Sequence, residues 1–274
     1  MKASSLLNRR ILAVMENEWA QLIRNRVVVF TTLVPTFLLV ALAVGVLALS
    51  SFLTVENSPL KGATETALRQ VPGVDGALFS GADSLRVTLL NPFLVLFQVI
   101  PLVVPITIAS YSIVGEKQLR TLEPLLATPI KTWELLAAKG LSAAIPGIIS
   151  TWWGFAVFAL VARFVTSDEI YTGLVMSPTW LLAIVLLTPL FTFLAVGLGV
   201  LISSRVKDPN SAQQLGSLVI LPVIGMLIAQ VSGAVQVGVG VVMGIAIGVG
   251  VIDLLLLVVS VRLFRREEIL TGWQ

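Results

Sequence analysis

Polar and apolar residues in this chain separate into long blocks instead of alternating. Six continuous apolar stretches, 27–53, 87–113, 141–162, 180–202, 215–235 and 237–261, each reach the ~20 residues that carry a helix across a bilayer. Asp253 is the one charged side chain inside them. The runs are unbroken, not patterned in ~10-residue alternating segments, so they predict helices and not a barrel. The expected fold is an all-α integral membrane protein, a single domain over 1–274 with six transmembrane helices. The first stretch is too long, and too far into the sequence, for a cleavable signal whose core spans roughly 7–15 residues.

The segments between the stretches are patterned as well. Over 5–26, Leu7, Ile11, Val14, Met15, Leu22 and Ile23 fall near i, i+4, i+7 spacing, while Arg9, Arg10, Glu16, Asn17, Gln21 and Arg24 point elsewhere. This predicts an amphipathic helix on the membrane surface, with Trp19 in the headgroup layer and Arg9, Arg10 and Arg24 on anionic lipid. A surface helix packing on a partner fits the same pattern. Segment 54–86, with Pro59, Pro72 and several glycines, is a small external cap, and 163–179 is a short external turn with Tyr171 and Trp180 as interfacial aromatics. Gln236 alone separates the last two stretches, which is too little to join antiparallel helices. Ser232, Gly233, Gln236, Gly238 and Gly240 therefore predict an irregular or re-entrant turn.

Composition narrows the function. The 274 residues are 57% hydrophobic and 12% charged, with mean hydropathy +0.98. A soluble domain carries roughly 25% charged residues. The net charge of +3 does not indicate nucleic acid in so apolar a chain, because surplus lysine and arginine mark the cytoplasmic loops of membrane proteins. Fourteen of the 18 basic residues lie in 1–26, 114–140, 203–214 and 262–274; Lys61, Arg69, Arg86 and Arg163 lie in the alternate segments. The positive-inside rule then puts both termini and the 114–140 loop in the cytoplasm, as an even number of spans requires. Neither cysteine nor histidine occurs. Thiolate nucleophiles, the usual zinc and haem ligation, and Ser–His catalysis are excluded, and no metal site is expected.

Within the apolar stretches, Asp253 is a candidate to accept a cation, relay a proton or pair with a neighbouring helix. Asn91, Gln98 and Gln230 read as polar glue between helices or as substrate ligands. Gly240, Gly244 and Gly248 form two overlapping Gly-x-x-x-Gly units, a packing face for the last span against its own bundle. Pro92, Pro101, Pro105 and Pro189 remove backbone hydrogen bonds and predict kinks in the second and fourth spans.

The loop 114–140 is the most informative segment. Leu119, Leu122, Leu125 and Leu126 recur at helical spacing beside Glu116, Lys117, Arg120 and Glu123; Pro124 fits a first turn and Pro129 ends the helix. A leucine stripe outside the bilayer must be buried on something, either a partner protein or the headgroup layer and residues 5–26. Gly115-Glu116-Lys117, Arg120-Thr121-Leu122-Glu123 and Leu125-Leu126-Ala127-Thr128-Pro129, followed by Glu134-Leu135 and Lys139, resemble the loop after the second span of type-2 ATP-binding-cassette (ABC) exporter permeases. Ser203-Ser204-Arg205, Lys207-Asp208, Ala212-Gln213-Gln214 and Leu221-Pro222 are similar to that family's junction between the fourth and fifth spans. The family often has glycine at the place of Arg120 and an acidic residue at that of Gln118.

The resemblance covers the whole chain and implies a plasma-membrane permease subunit that exports a hydrophobic or amphipathic substrate, a drug-like molecule or a lipid. It implies an ABC ATPase subunit as partner, together with a second copy of the permease or a sister permease. The segment from Glu116 through Lys117, Leu119, Arg120, Thr121, Leu122, Glu123, Leu125, Leu126 and Thr128 to Pro129 would be the coupling helix seated on the ATPase, and 5–26 the elbow helix. No Gly-x-x-x-x-Gly-Lys-[Ser/Thr] occurs, so ATP and magnesium would sit on the partner and the chain itself would be no enzyme. Two other readings stand beside this one: an ion- or proton-coupled transporter or channel using Asp253, and a membrane anchor that passes ATPase motion to an external partner.

Overall fold

The computed structural model describes residues 2–50, 81–118, 132–206 and 208–263. The described residues are helical, with no strand among them, and six helices are long and apolar enough to cross a membrane. These spans are Arg26–Ser50, Arg86–Ser112, Ala137–Val165, Pro178–Ser203, Pro209–Val231 and Val239–Ser260. A separate helix, α1 (Lys2–Arg24), precedes them. Asn25 divides α1 from the first span, its side-chain carbonyl accepting from the Val27 N–H at 3.1 Å and the Val28 N–H at 3.4 Å. An asparagine at that position satisfies donors that the new helix leaves open, so the chain can turn there.

The second span is the centre of the bundle. Its most apolar window is 83% buried, against 11% for the sixth. Glycines on its neighbours make the close approach possible. A Cβ at Gly147 would lie 2.6 Å from the Pro105 ring, one at Gly216 would lie 2.6 Å from Ile106 Cγ2, and one at Gly199 would lie 3.0 Å from Ala109 Cβ. Its helix is broken where its prolines predict: segments Gly81–Leu90 and Phe93–Phe97 precede the long Ile100–Gln118. Tight turns bridge the breaks, with the Val95 N–H on the Pro92 carbonyl and the Leu102 N–H on the Val99 carbonyl, both at 3.2 Å. Two aromatic residues expected at an interface separate here. Trp180 is fully buried and stacks on Phe158 with ring centroids 5.7 Å apart, because Ser177 and Pro178 start its helix just before it and turn it inward. Tyr171 stays near the end of the bundle under the Arg163 guanidinium, which also pairs with Asp168.

The fourth span opens with α-helix Pro178–Leu182, widens into a π-helix over Ala183–Leu187 and resumes at Thr188–Arg205. The fifth span starts at Pro209, six residues earlier than its apolar run, because Asp208 caps it by accepting from the Ser211 N–H at 2.7 Å. It ends at Val231, and seven residues, 232–238, form the turn to the sixth span. Gly233 adopts φ 77° there, a left-handed conformation that suits glycine, and the Val235 N–H reaches back to the Ala229 carbonyl.

Candidate coupling site

The helix that contains the second span runs on to Gln118, and the helix that contains the third begins at Thr132. Between them the expected contact residues Leu119, Arg120, Thr121, Leu122, Glu123, Leu125, Leu126, Thr128 and Pro129 lie outside the described residues. Glu116 and Lys117 are in the last turns of the outgoing helix. Glu134 and Leu135 are buried at the start of the returning one.

Just inside these helix ends, three polar side chains from three elements close on one another. Lys139 Nζ lies 2.5 Å from Glu18 Oε1 and donates to Ser112 Oγ at 2.9 Å; the Ser112 hydroxyl in turn donates to Glu18 Oε2 at 2.7 Å. The Glu18 and Lys139 side chains are each 5% exposed. Both carboxylate oxygens of Glu18 are engaged, and Ser112 uses its hydroxyl as acceptor and donor together. Glu18 sits on α1, Ser112 at the end of the second span and Lys139 near the start of the third.

A second bond ties α1 to the same place. The Trp19 indole N–H donates to the Ser142 carbonyl at 3.0 Å. In a helix that carbonyl would receive the N–H four residues on, but residue 146 is proline and has none. Trp19 thus fills a vacancy inside the third helix. Of the other α1 residues singled out, Arg9 and Arg10 lie on its first half, Arg24 is exposed in its last turn, and Ile23, expected in the apolar stripe, is 74% exposed.

The sequence reading missed Glu18. Its signal was there: Met15, Glu18 and Leu22 share one helical face, so a carboxylate interrupts an apolar stripe. Met15 is 5% exposed and Leu22 packs against the core, and a charge on such a face requires a buried partner.

The intramembrane polar residues mostly stitch helices together. Gln98 Nε2 donates to the Ala183 carbonyl at 3.0 Å, and the Trp152 indole donates to the Ile184 carbonyl at 3.0 Å. Both carbonyls belong to the π-helix. Five residues beyond Ile184 stands Pro189, which has no N–H to offer in the π register. Gln230 Nε2 donates to the backbone carbonyl of Asn91 at 3.2 Å, joining the fifth span to the second. Nearer the coupling loop, Gln213 Nε2 donates to Thr107 Oγ1 and the Tyr111 hydroxyl to Asn210 Oδ1, both at 3.0 Å.

Asp253 is half-buried, and both of its carboxylate oxygens are enclosed with no hydrogen-bond partner among the described residues. The glycine stripe does not pack where the sequence suggested. A Cβ at Gly240, Gly244 or Gly248 would meet nothing within 4 Å. The buried positions of the sixth span are Val242, Ala246 and Val249, and Leu256 packs at Gly197 of the fourth. Two residues along a helix turn it about 200°, so these positions and the glycines lie on different sides.

Residues 12–243 match a family model described as ABC-2 family transporter protein. The chain belongs to this family. Membership makes it a membrane permease of an ABC transporter and implies an ABC ATPase subunit as partner. The matched stretch takes in Glu18, Ser112 and Lys139 together with the loop between the second and third spans. No curated protein matches the chain. With six apolar helices and this family, the ABC-2 permease is a multi-pass membrane protein.

Proposed function

We propose that this permease exports a hydrophobic or amphipathic molecule, driven by ATP that a separate ABC ATPase subunit hydrolyses. Both termini and the 114–140 loop then face the cytoplasm, the Glu116–Pro129 segment is the surface seated on the ATPase, and two permease chains form the pathway. One observation carries the reading: the loop springs from the most enclosed helix of the bundle. A displacement of that loop reaches the fourth span by both arms: through Ile100–Gln118 and the break just before it to the Gln98 bond, and through Thr132–Val165 to the Trp152 bond. The almost uncharged spans support an apolar or amphipathic cargo, since a hydrophilic solute requires a charged or polar lining.

The test is mild extraction of a tagged chain, identification of co-purifying proteins and assay of ATP hydrolysis on the same sample. A near-stoichiometric P-loop protein with ATPase activity is expected, and Glu123→Lys should release or uncouple it. A clean, ATP-inert chain refutes the proposal. The unpartnered Asp253 carboxylate favours a second reading, ion-coupled flux, which requires Asp253→Asn to abolish transport while ATP makes no difference.

A further inference from the structure

We propose that Glu18, Ser112 and Lys139 form a positioning joint that makes α1 and the two helix ends flanking the coupling loop move as one body. The inference rests on the ATP-driven reading above and adds residues to it that lie outside the loop itself.

The argument begins with what the pair is poor at. Two charges withdrawn from water lose their hydration, and their attraction only repays that loss when the geometry is good. Apolar side chains of similar volume would hold α1 on the bundle at least as firmly. What an ion pair adds is direction: the donors and acceptors of Lys139, Ser112 and Glu18 meet in one arrangement only, within 2.5–2.9 Å.

Its location gives that direction a use. Ser112 precedes the end of its helix at Gln118 by six residues, and Lys139 follows Thr132 by seven, so each lies roughly 10 Å along the axis from the loop. The outgoing and returning arms of the loop are therefore locked together one and a half to two turns inside the bundle, with α1 as the third member. Trp19 on Ser142 is a second fixing point between α1 and the third helix. A push on the loop cannot splay these arms while the joint holds; it is delivered to the second and third spans and to α1 at once.

Because the chain has no cysteine, labels can be placed freely. Nitroxides at Ala13→Cys on α1 and Ile149→Cys on the third span, both exposed positions, report the separation of the two elements by double electron–electron resonance. The sample is the permease purified with its native ATPase, without nucleotide and trapped with ATP and vanadate. The parent should show one narrow distance distribution that trapping leaves in place. Glu18→Leu/Lys139→Met should lose the single narrow peak and acquire a shift on trapping, while still binding the ATPase and hydrolysing ATP. A parent whose labels move apart on trapping overturns the joint, as does a double variant that keeps the parental distribution in both states. If the double variant does not assemble, Ser112→Ala carries the same comparison, and an unchanged distribution there overturns the joint. Absence of any ATPase from the parent preparation refutes the proposed function instead, and the nucleotide-free comparison of parent and variant still decides whether the three residues hold α1 in place.

Discussion

Replacing Trp19 by phenylalanine tests whether its indole stands in for the N–H that Pro146 lacks. The substitution keeps an aromatic ring on α1 and deletes the donor that reaches the Ser142 carbonyl at 3.0 Å. Ser142 is fully buried, so its carbonyl has no water to turn to. An unpaired buried acceptor costs about 1–3 kcal/mol in soluble proteins. Hydrogen bonds measured between membrane helices average only ~0.6 kcal/mol, with a maximum near 1.7. The bond is near the start of the third span, so about 1–2 kcal/mol is expected between these scales. Lost ring area contributes as well, and a cycle separates the two. In a Pro146→Ala background, the alanine N–H lies in register to donate to the Ser142 carbonyl, and the indole bond becomes redundant. Trp19→Phe should then cost about 1 kcal/mol less than in the parent. Equilibrium unfolding in dodecyl maltoside titrated with dodecyl sulfate, followed by far-ultraviolet circular dichroism, gives all four free energies. An equal cost in both backgrounds, within the ~0.5 kcal/mol expected of independent sites, refutes the substitution of indole for amide.

Three further outcomes follow from the packing and the charges. Lys139→Met alone leaves the buried Glu18 carboxylate with the Ser112 hydroxyl but without its counter-charge, and should lower stability by about 3–5 kcal/mol in the same titration, with Glu18→Leu added in the double variant restoring most of the loss. Gly216→Ala drives a methyl to 2.6 Å from Ile106 and should cost about 1–3 kcal/mol, whereas Gly244→Ala meets nothing and should gain about 0.5–1 kcal/mol in detergent-dispersed monomer. Asp208 holds the start of the fifth helix with a carboxyl lowered from its ordinary 3.8, chiefly by the Ser211 backbone N–H. Its capping contribution should be fully present above pH 3.8 and fade as pH falls through the lowered value; Asp208→Asn should flatten that part of the acid titration.

The spans were legible because a bilayer demands long uncharged runs, and nothing shorter or more polar will serve. Their ends were not. The apolar run of the fifth span begins at 215, yet the helix begins at Pro209, since Asn210 and Gln213 are satisfied by Tyr111 and Thr107 of the second span. A polar turn of helix with partners a hundred residues away looks like a loop to any local reading. Pro189 marked the fourth span as irregular, but the π-helix at Ala183–Leu187 was not legible as such: its loosened carbonyls are satisfied by Gln98 and Trp152, which lie on other helices. The coupling joint was half visible. Lys139 stood within a motif, Trp19 stood out as an aromatic and Glu18 interrupted an apolar face, but only the fold shows which partners they meet: Glu18 with Lys139 and Ser112, and Trp19 with the Ser142 carbonyl that Pro146 leaves open.

The partners of the second span have a consequence for how the protein is made. That span enters the membrane early, carrying Asn91, Gln98 and Thr107, yet the fourth- and fifth-span groups that bond to them are encoded 139, 85 and 106 residues later, respectively. At roughly 5–20 residues per second, ribosomal synthesis leaves the nascent second span without these partners, holding only local bonds such as Thr107 on the Val103 carbonyl, for about 4–28 seconds. Through that interval the segment destined for the middle of the bundle stands in the membrane before its later helix partners exist. Chains stalled after the third span should therefore be substrates for membrane quality control, whereas chains that have completed the fifth should escape it, and degradation rates of ribosome-arrested truncations would show the step.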